Sequence, residues 1–240
     1  MKPRHAINWG GDRPSPVGFQ TGSRIRVGCM ILLSGLIFFP LQKLTARTIE
    51  LSGEVIDKMA VLSEAGPRQS WAAREVSAGI FLNDRLDLDN TRSVLIRYNL
   101  DVIPPRQRIA HAEWVIPIER RRPTTGARLF VWRMLADWGA GVGHSYRRTV
   151  PDAPIQWALP GARGNSSDRA TRPTSIVQPT DDDEQVVTVT EDVELWYSGV
   201  APNRGWMIAV EDPEVEIWMP IPLNRDPYQW ILRITYEPIR

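Results

Sequence analysis

Short runs in which apolar and polar residues alternate recur along the chain, and residues that favour turns separate them. The clearest runs are rich in β-branched and aromatic residues and occupy positions 93–100, 109–118, 127–135, 206–210, 215–219 and 230–236. Alternation with a period of two places one set of side chains on each face of an extended strand. Weaker runs at 53–62 and 75–82 add one or two further strands. The pattern therefore predicts an all-β domain built as an antiparallel β-sandwich.

The same alternation assigns the faces of individual strands. Trp114 falls on the apolar face of the run 109–118, whereas Trp218 falls on the outward face of its strand. The turn-rich segment 120–126 predicts a hairpin loop, with 127–135 as the strand that pairs with 109–118.

One short segment interrupts the alternation. Thr190 has the side chain of an N-cap residue, and the two acidic residues after it would lie at the positive end of a helix dipole. Val193 and Trp196 are three residues apart and share one helical face, and Gly199 is the type of residue that ends a helix. The sequence predicts one short helix, at about 190–198, that caps an open end of the sandwich.

A long connection, at about 137–185, is rich in glycine, proline, serine and aspartate, with three aromatic residues embedded in it. Irregular segments of this length are either functional or disordered. The aromatic residues indicate that the first part is fixed to the domain, whereas 161–183 has the composition of a mobile tip.

The stretch 27–41 is apolar without interruption and follows two arginines. Fifteen residues are short for a membrane-spanning helix, which needs about 20, and suit the apolar region of a signal peptide. We expect residues 1–46 to be a signal peptide or a retained membrane anchor, and residues 47–240 to be one exported domain. This predicts a secreted, extracellular or cell-envelope location. The single cysteine, Cys29, lies inside the apolar stretch, so the domain has no thiol chemistry.

Charge and composition narrow the function classes. The net charge is +1, which gives no overall attraction to nucleic acid or to an anionic membrane. The chain has three lysines, so 26 of its 29 basic residues are arginine, which reflects either a codon bias or selection for anion binding. With three histidines and no nucleophile-elbow, zinc-protease or phosphate-loop motif, the sequence predicts no enzyme.

Five segments, in order, resemble the DNRLRE domains, which belong with the carbohydrate-binding modules of family 96 (CBM96). They are 93–100 (SVLIRYNL), 112–116 (AEWVI), 131–138 with 156–157, 189–206 and 232–236 (LRITY). The resemblance covers about 55–236 and implies a jelly-roll-like β-sandwich on a secreted or surface protein, with polysaccharide binding, alginate included, in some members. Tyr98-Asn99 stands where Phe-Asp is usual in the family, and Gly139-Ala140 where Thr-Glu is common. The resemblance carries no ligand residues over to this chain.

Sugar-binding β-sandwiches stack aromatic rings on the sugar and use arginine where the sugar carries carboxylates. Aromatic and basic residues that lie in the long connection, or on an outward strand face, are therefore the candidate ligand contacts, with burial in a core as the alternative for each. They are Trp218, Trp138, Trp157, Tyr146, His144, Arg147 and Arg148.

Asp84, Asp87 and Asp89 form an oxygen-rich cluster that could hold a structural calcium ion. The alternative is the solvated face and turn of a strand. A second acidic run at 181–184 has the same two interpretations. No other cofactor is expected.

The first functional hypothesis is a non-catalytic, exported carbohydrate-binding module whose candidate ligands include acidic polysaccharides such as alginate, bound by aromatic stacking and arginine. The second is a structural or adhesion protein of the cell envelope that binds protein partners, and the third is a polysaccharide hydrolase. The expected partner is a polysaccharide or a cell-envelope component and not nucleic acid. Contact with a membrane is expected only through residues 27–41, if they are retained.

Overall fold

Strands form most of the regular structure in the computed structural model, which describes residues 45–66, 71–72, 85–123, 126–149, 153–179, 184–220 and 230–239. The strands are β1 (Arg47–Leu51), β2 (Ile56–Ser63), β3 (Trp71–Ala72), β4 (Arg85–Leu88), β5 (Arg92–Tyr98), β6 (Gln107–Pro117), β7 (Arg120–Arg122), β8 (Leu129–Arg133), β9 (Tyr146–Arg148), β10 (Ile155–Gln156), β11 (Ser175–Val177), β12 (Glu184–Thr188), β13 (Trp206–Ala209), β14 (Glu216–Pro220) and β15 (Ile231–Pro238). One α-helix, α1 (Thr190–Tyr197), and two 3-10 turns, Gly53–Val55 and Pro160–Ala162, complete the described elements. None of the helices in these ranges is long and apolar enough to cross a membrane. The predicted signal or anchor segment and the predicted strand at 75–82 lie outside the described residues.

Two antiparallel sheets form the sandwich. One has the order β1-β15-β6-β12 and the other the order β11-β8-β13-β5-β2-β3. Their facing sides enclose a core centred on Trp114 and Trp206, whose rings stack with centroids 5.1 Å apart. A three-stranded sheet, β4-β14-β7, and the pair β10-β9 are separate. The prediction of an all-β antiparallel sandwich is confirmed.

The predicted hairpin between β6 and β8 is wrong. Its loop contains β7, which pairs with β14. Strand β8 pairs with β13 and β11, whereas β6 pairs with β15 and β12 in the other sheet. Each strand buries one apolar face in the shared core, and the alternation within a strand does not reveal the sheet to which it belongs.

The predicted capping helix is confirmed as α1. Val193 and Trp196 are buried, and the Trp196 ring lies 4.5 Å from that of Trp206. Gly199 follows the helix with a φ of +74°, which glycine adopts without strain. The N-cap prediction is wrong, because the Thr190 hydroxyl accepts a hydrogen bond from the backbone N–H of Ala112 on β6, at 2.9 Å.

The outer face of the six-stranded sheet is also buried. Residues 134–149 and 153–173, which we call the cover segment, fold back over this face. Outward side chains of the sheet, including Leu95 and Met207, pack with Trp138 and Trp157 of the cover segment in a second core. The long connection is therefore a third layer with short elements of its own. Part of its predicted mobile tip is fixed as well, since Asp168 and Arg169 are only 2% and 8% exposed.

Candidate ligand-binding site

Five basic side chains converge at one end of the second core, and we call them the basic cluster: Lys58, Arg97, Arg147, Arg148 and Arg204. Lys58 on β2 and Arg97 on β5 are directly opposite each other in the sheet register. The alternation that buries Met59 and Ile96 toward the sandwich core turns both basic residues to the outer face. Arg147 and Arg148 come from β9 in the cover segment.

Two carboxylates and two backbone carbonyls hold the basic cluster together. Arg97 donates to Asp57, through Nε at 2.6 Å. The Asp137 carboxylate lies 3.4 Å from Arg204 Nη1 and 3.9 Å from Arg148 Nη1. The carbonyl oxygen of Asp137 accepts from Arg147 Nη1 at 3.4 Å.

Trp138 positions the basic cluster through its backbone and its indole. Its carbonyl oxygen accepts a hydrogen bond from Lys58 Nζ at 3.1 Å, and its Nε1–H donates to the carbonyl of Arg204 at 2.8 Å. The Lys58 ammonium also lies 5.9 Å from the centre of the Trp138 ring, a cation–π distance. One buried tryptophan thus links basic residues that are distant in the sequence.

Within the described part of the chain, the five positive charges of the basic cluster exceed the two carboxylates that contact them, Asp57 and Asp137. Burial lowers the pKa of Lys58, and the charge of Arg97 lowers it further, while Asp137 and Asp57 act in the opposite direction. The ammonium form of Lys58 is thus disfavoured first by burial and then by a neighbouring guanidinium group, and an added anion would act in the opposite direction.

A surface groove adjoins the basic cluster. It has a volume of about 1140 Å³ and lies between the connection from β5 to β6, the last turn of α1 and Asn203. Arg97 and Asp57 line the groove and also belong to the contacts of the basic cluster, so the two regions are continuous. We call this region the groove.

Aromatic and amide groups form the groove wall. The Tyr197 hydroxyl donates to the carbonyl of Pro104 at 2.6 Å and accepts from the N–H of Gln107 at 3.1 Å, which fixes its ring. Trp196 also lines the groove, and its buried Nε1–H has no hydrogen-bond partner among the described residues. The Asn203 amide donates to the Tyr98 carbonyl at 2.9 Å, so it holds the wall in place.

Groups of both charges surround these rings. The ionisable residues that line the groove are Arg97, Arg106, Arg108, Asp57, Asp101 and Glu194. Pockets that bind small polar ligands combine apolar walls with a few placed polar groups, and this lining has both.

The structure places the three predicted tryptophan candidates inside the protein. Trp138 and Trp157 are 3% and 4% exposed, and the Trp157 Nε1–H donates to the carbonyl of Gly143 at 2.8 Å. Trp218 is 7% exposed, so the prediction that it faces solvent is wrong. Its Nε1–H donates to Glu216 at 3.2 Å, and the Arg122 guanidinium covers its ring at 5.4 Å. Rings buried in this way have no free face for a sugar, because protein atoms already cover them.

His144 lies apart from the basic cluster. Its Nε2 is 3.7 Å from a Glu64 carboxylate oxygen, and Arg163 contacts the same oxygen at 3.7 Å. Burial lowers the pKa of His144. Tyr146 is half-buried on β9. Of the predicted ligand contacts, only Arg147 and Arg148 are in the basic cluster.

The predicted calcium cluster is largely outside the described residues, which exclude Asp84 and the side chain of Asp87. The carboxylate of Asp89 accepts from the N–H and hydroxyl of Thr91, at 2.8 and 2.6 Å, and lies 3.6 Å from Arg92. These contacts are those of a turn. Within the described ranges, no group of three acidic, histidine or cysteine side chains could hold a metal ion.

Lys58, Arg97 and Arg204 were not among the candidates from the sequence. Lys58 and Arg97 each lie on the polar side of a strand run, which is a weak signal. The sequence gives no signal for Arg204. A contact between distant segments places it at the site, where its carbonyl accepts a hydrogen bond from Trp138 Nε1–H.

Comparison with protein-family models and with curated proteins gives no match. The resemblance to the DNRLRE domains and its ligand class therefore remain predictions.

Proposed function

We propose that this protein is a non-catalytic, exported carbohydrate-binding module and that polysaccharide binds in the groove. The observation that supports this proposal is the composition of the groove wall, where the half-buried Tyr197 ring, fixed by its hydroxyl, lies among amide, carboxylate and guanidinium groups. Aromatic rings with placed hydrogen-bonding groups match the apolar faces and hydroxyl edges of sugars. The resemblance to the DNRLRE domains and the arginine content favour an acidic polysaccharide such as alginate.

The test is electrophoresis through gels that contain alginate, pectin or a neutral glucan. The groove is blocked with Asn99→Trp, because Asn99 is exposed and lines it. Glu214→Trp is the matched control, since Glu214 is also exposed and lies outside the groove lining. We expect retardation of the unaltered protein in at least one polysaccharide gel, and at least about tenfold weaker binding by Asn99→Trp, equivalent to about 1.4 kcal/mol.

Equal retardation of the two tryptophan variants would contradict binding in the groove. Failure to bind any polysaccharide would favour the adhesion hypothesis, in which the ligand is a protein. Release of reducing sugar by the unaltered protein would contradict the non-catalytic proposal.

A further inference from the structure

We infer that the basic cluster is an anion subsite that binds a carboxylate or sulfate substituent of the polysaccharide held in the groove. This inference rests on the proposed function and adds to it the site and the chemistry of charge recognition. Three features of the basic cluster support it: the position of Gly139 beside two of the cations, an excess of positive charge among the described residues, and continuity with the groove.

Gly139 provides the space. A Cβ atom added there would lie 3.8 Å from Lys58 Nζ and 3.9 Å from Arg148 Cδ, which are ordinary contact distances. The glycine therefore lies between an ammonium group and an arginine side chain without being in steric contact with either. A side-chain atom at this point would be in ordinary van der Waals contact with both side chains.

Among the residues that the structure describes, the charges at this point are unbalanced. Two carboxylates, Asp57 and Asp137, contact three of the arginines, and the Lys58 ammonium donates to a carbonyl oxygen that carries no charge. Arg148 Nη1 is 3.9 Å from its carboxylate, too far for a strong hydrogen bond. A carboxylate or sulfate would supply the missing charge and accept hydrogen bonds from ammonium and guanidinium donors, which are the strong kind. It would also raise the lowered pKa of Lys58.

Arg97 connects the subsite to the groove. Its side chain is 22% exposed, it lines the groove, and its Cα partner in the sheet is Lys58. A polymer in the groove is therefore adjacent to the basic cluster and can place a charged substituent there. The carboxylate of a uronic acid and the sulfate of a sulfated sugar are both oxyanions, and either could be the charged substituent.

The test uses an internal competitor. Gly139→Asp places a carboxylate in the gap, and Gly139→Asn is its uncharged match in size. Gly139 does not have a positive φ, so both side chains are compatible with the backbone. Binding is measured by calorimetry with three probes: a galacturonic acid trimer, a sulfated galactose trimer and a neutral galactose trimer.

We expect Gly139→Asp to weaken binding of one or both charged trimers at least about tenfold relative to Gly139→Asn. The neutral trimer should bind the two variants equally. The charged trimer that loses affinity identifies the source of the oxyanion. Equal binding of the charged trimers to the two variants would overturn the inference.

Failure of the inference is distinguishable from failure of the proposed function. One outcome is that polysaccharide binds, Asn99→Trp prevents binding, and the two Gly139 variants bind equally. This outcome supports binding in the groove and contradicts the anion subsite. If no polysaccharide binds, inorganic sulfate at millimolar concentration replaces the trimers. A rise in melting temperature in Gly139→Asn that is absent in Gly139→Asp then supports the subsite alone, and equal rises overturn it.

Discussion

Replacing Asp168 by alanine should loosen the cover segment, because this carboxylate organises its turn. Oδ1 accepts a hydrogen bond from the N–H of Ala158 at 2.9 Å. Oδ2 accepts from the N–H groups of Leu159 and Gly164, both at 3.0 Å. The residue is 2% exposed. Three backbone N–H groups from two parts of this turn thus donate to one buried carboxylate.

The expected loss of stability depends on which of the three N–H donors water can reach once the carboxylate is removed. Ala158 and Leu159 are exposed residues, so water can replace the carboxylate at their N–H groups. The N–H of Gly164 is buried and would be left without an acceptor. A hydrogen bond to a charged group contributes about 1.5–3 kcal/mol, and an orphaned buried donor costs about 1–3 kcal/mol. We therefore expect Asp168→Ala to lower the free energy of unfolding by about 2–4 kcal/mol.

Urea unfolding followed by tryptophan fluorescence measures this loss, and calorimetry should show a melting temperature about 5–15 °C lower. Hydrogen exchange should accelerate first in the peptides that contain Gly164, because the sandwich core does not depend on them. Glu214→Ala, at an exposed position, should change the stability by less than about 0.5 kcal/mol. A loss below about 1 kcal/mol for Asp168→Ala, with Gly164 still protected, would refute this reasoning.

Three further predictions concern other parts of the molecule. Gly205→Ala should lower the free energy of unfolding by more than about 3 kcal/mol or prevent folding, because φ is +76° and the new Cβ would overlap the carbonyl of Ile96. Soluble yield and the urea midpoint measure this effect, and a near-normal midpoint would contradict it. Burial lowers the pKa of His144, so its neutral form stabilises the fold above the ordinary pKa of 6.5, and this contribution is lost as the pH falls through the lowered value. His144→Gln should therefore flatten the dependence of the urea midpoint on pH between about pH 7 and pH 5, and an unchanged slope would count against it. Asp192→Ala should lower the free energy of unfolding by about 2–4 kcal/mol, because the Trp206 Nε1–H donates to the Asp192 carboxylate at 2.8 Å. The substitution should also alter the near-ultraviolet circular dichroism of Trp206, and an unaltered spectrum would argue against this role.

Local features of the sequence predict the elements well. Alternation identifies β5, β6, β13 and β15, and the spacing of Val193 and Trp196 identifies α1. The pairing of strands is less predictable, because it depends on contacts between distant segments. Strand β8 follows β6 in the sequence, yet the two lie in opposite sheets.

The third layer explains why the site was only partly predicted. A tryptophan in a glycine-rich connection has the same sequence signal whether it faces a ligand or a core. Trp138 and Trp157 face the second core, because the outer sides of β5, β8 and β13 are themselves apolar. The basic cluster joins residues 58, 97, 147, 148 and 204, and only the folded chain brings them together.

Strand β5 has an apolar residue on each side, since Leu95 faces the second core and Ile96 the first, both fully buried. Sliding this strand by one position would exchange these two side chains, which are similar in size and polarity, so this pair alone does not oppose the slip. The Tyr98 hydroxyl does oppose it. It accepts from Trp114 Nε1 and donates to the carbonyl of Trp230, each at 3.0 Å, and a shifted phenol could reach neither. One buried oxygen atom thus helps to fix the alignment of the central sheet and, through Arg97 on the same strand, the alignment of the basic cluster.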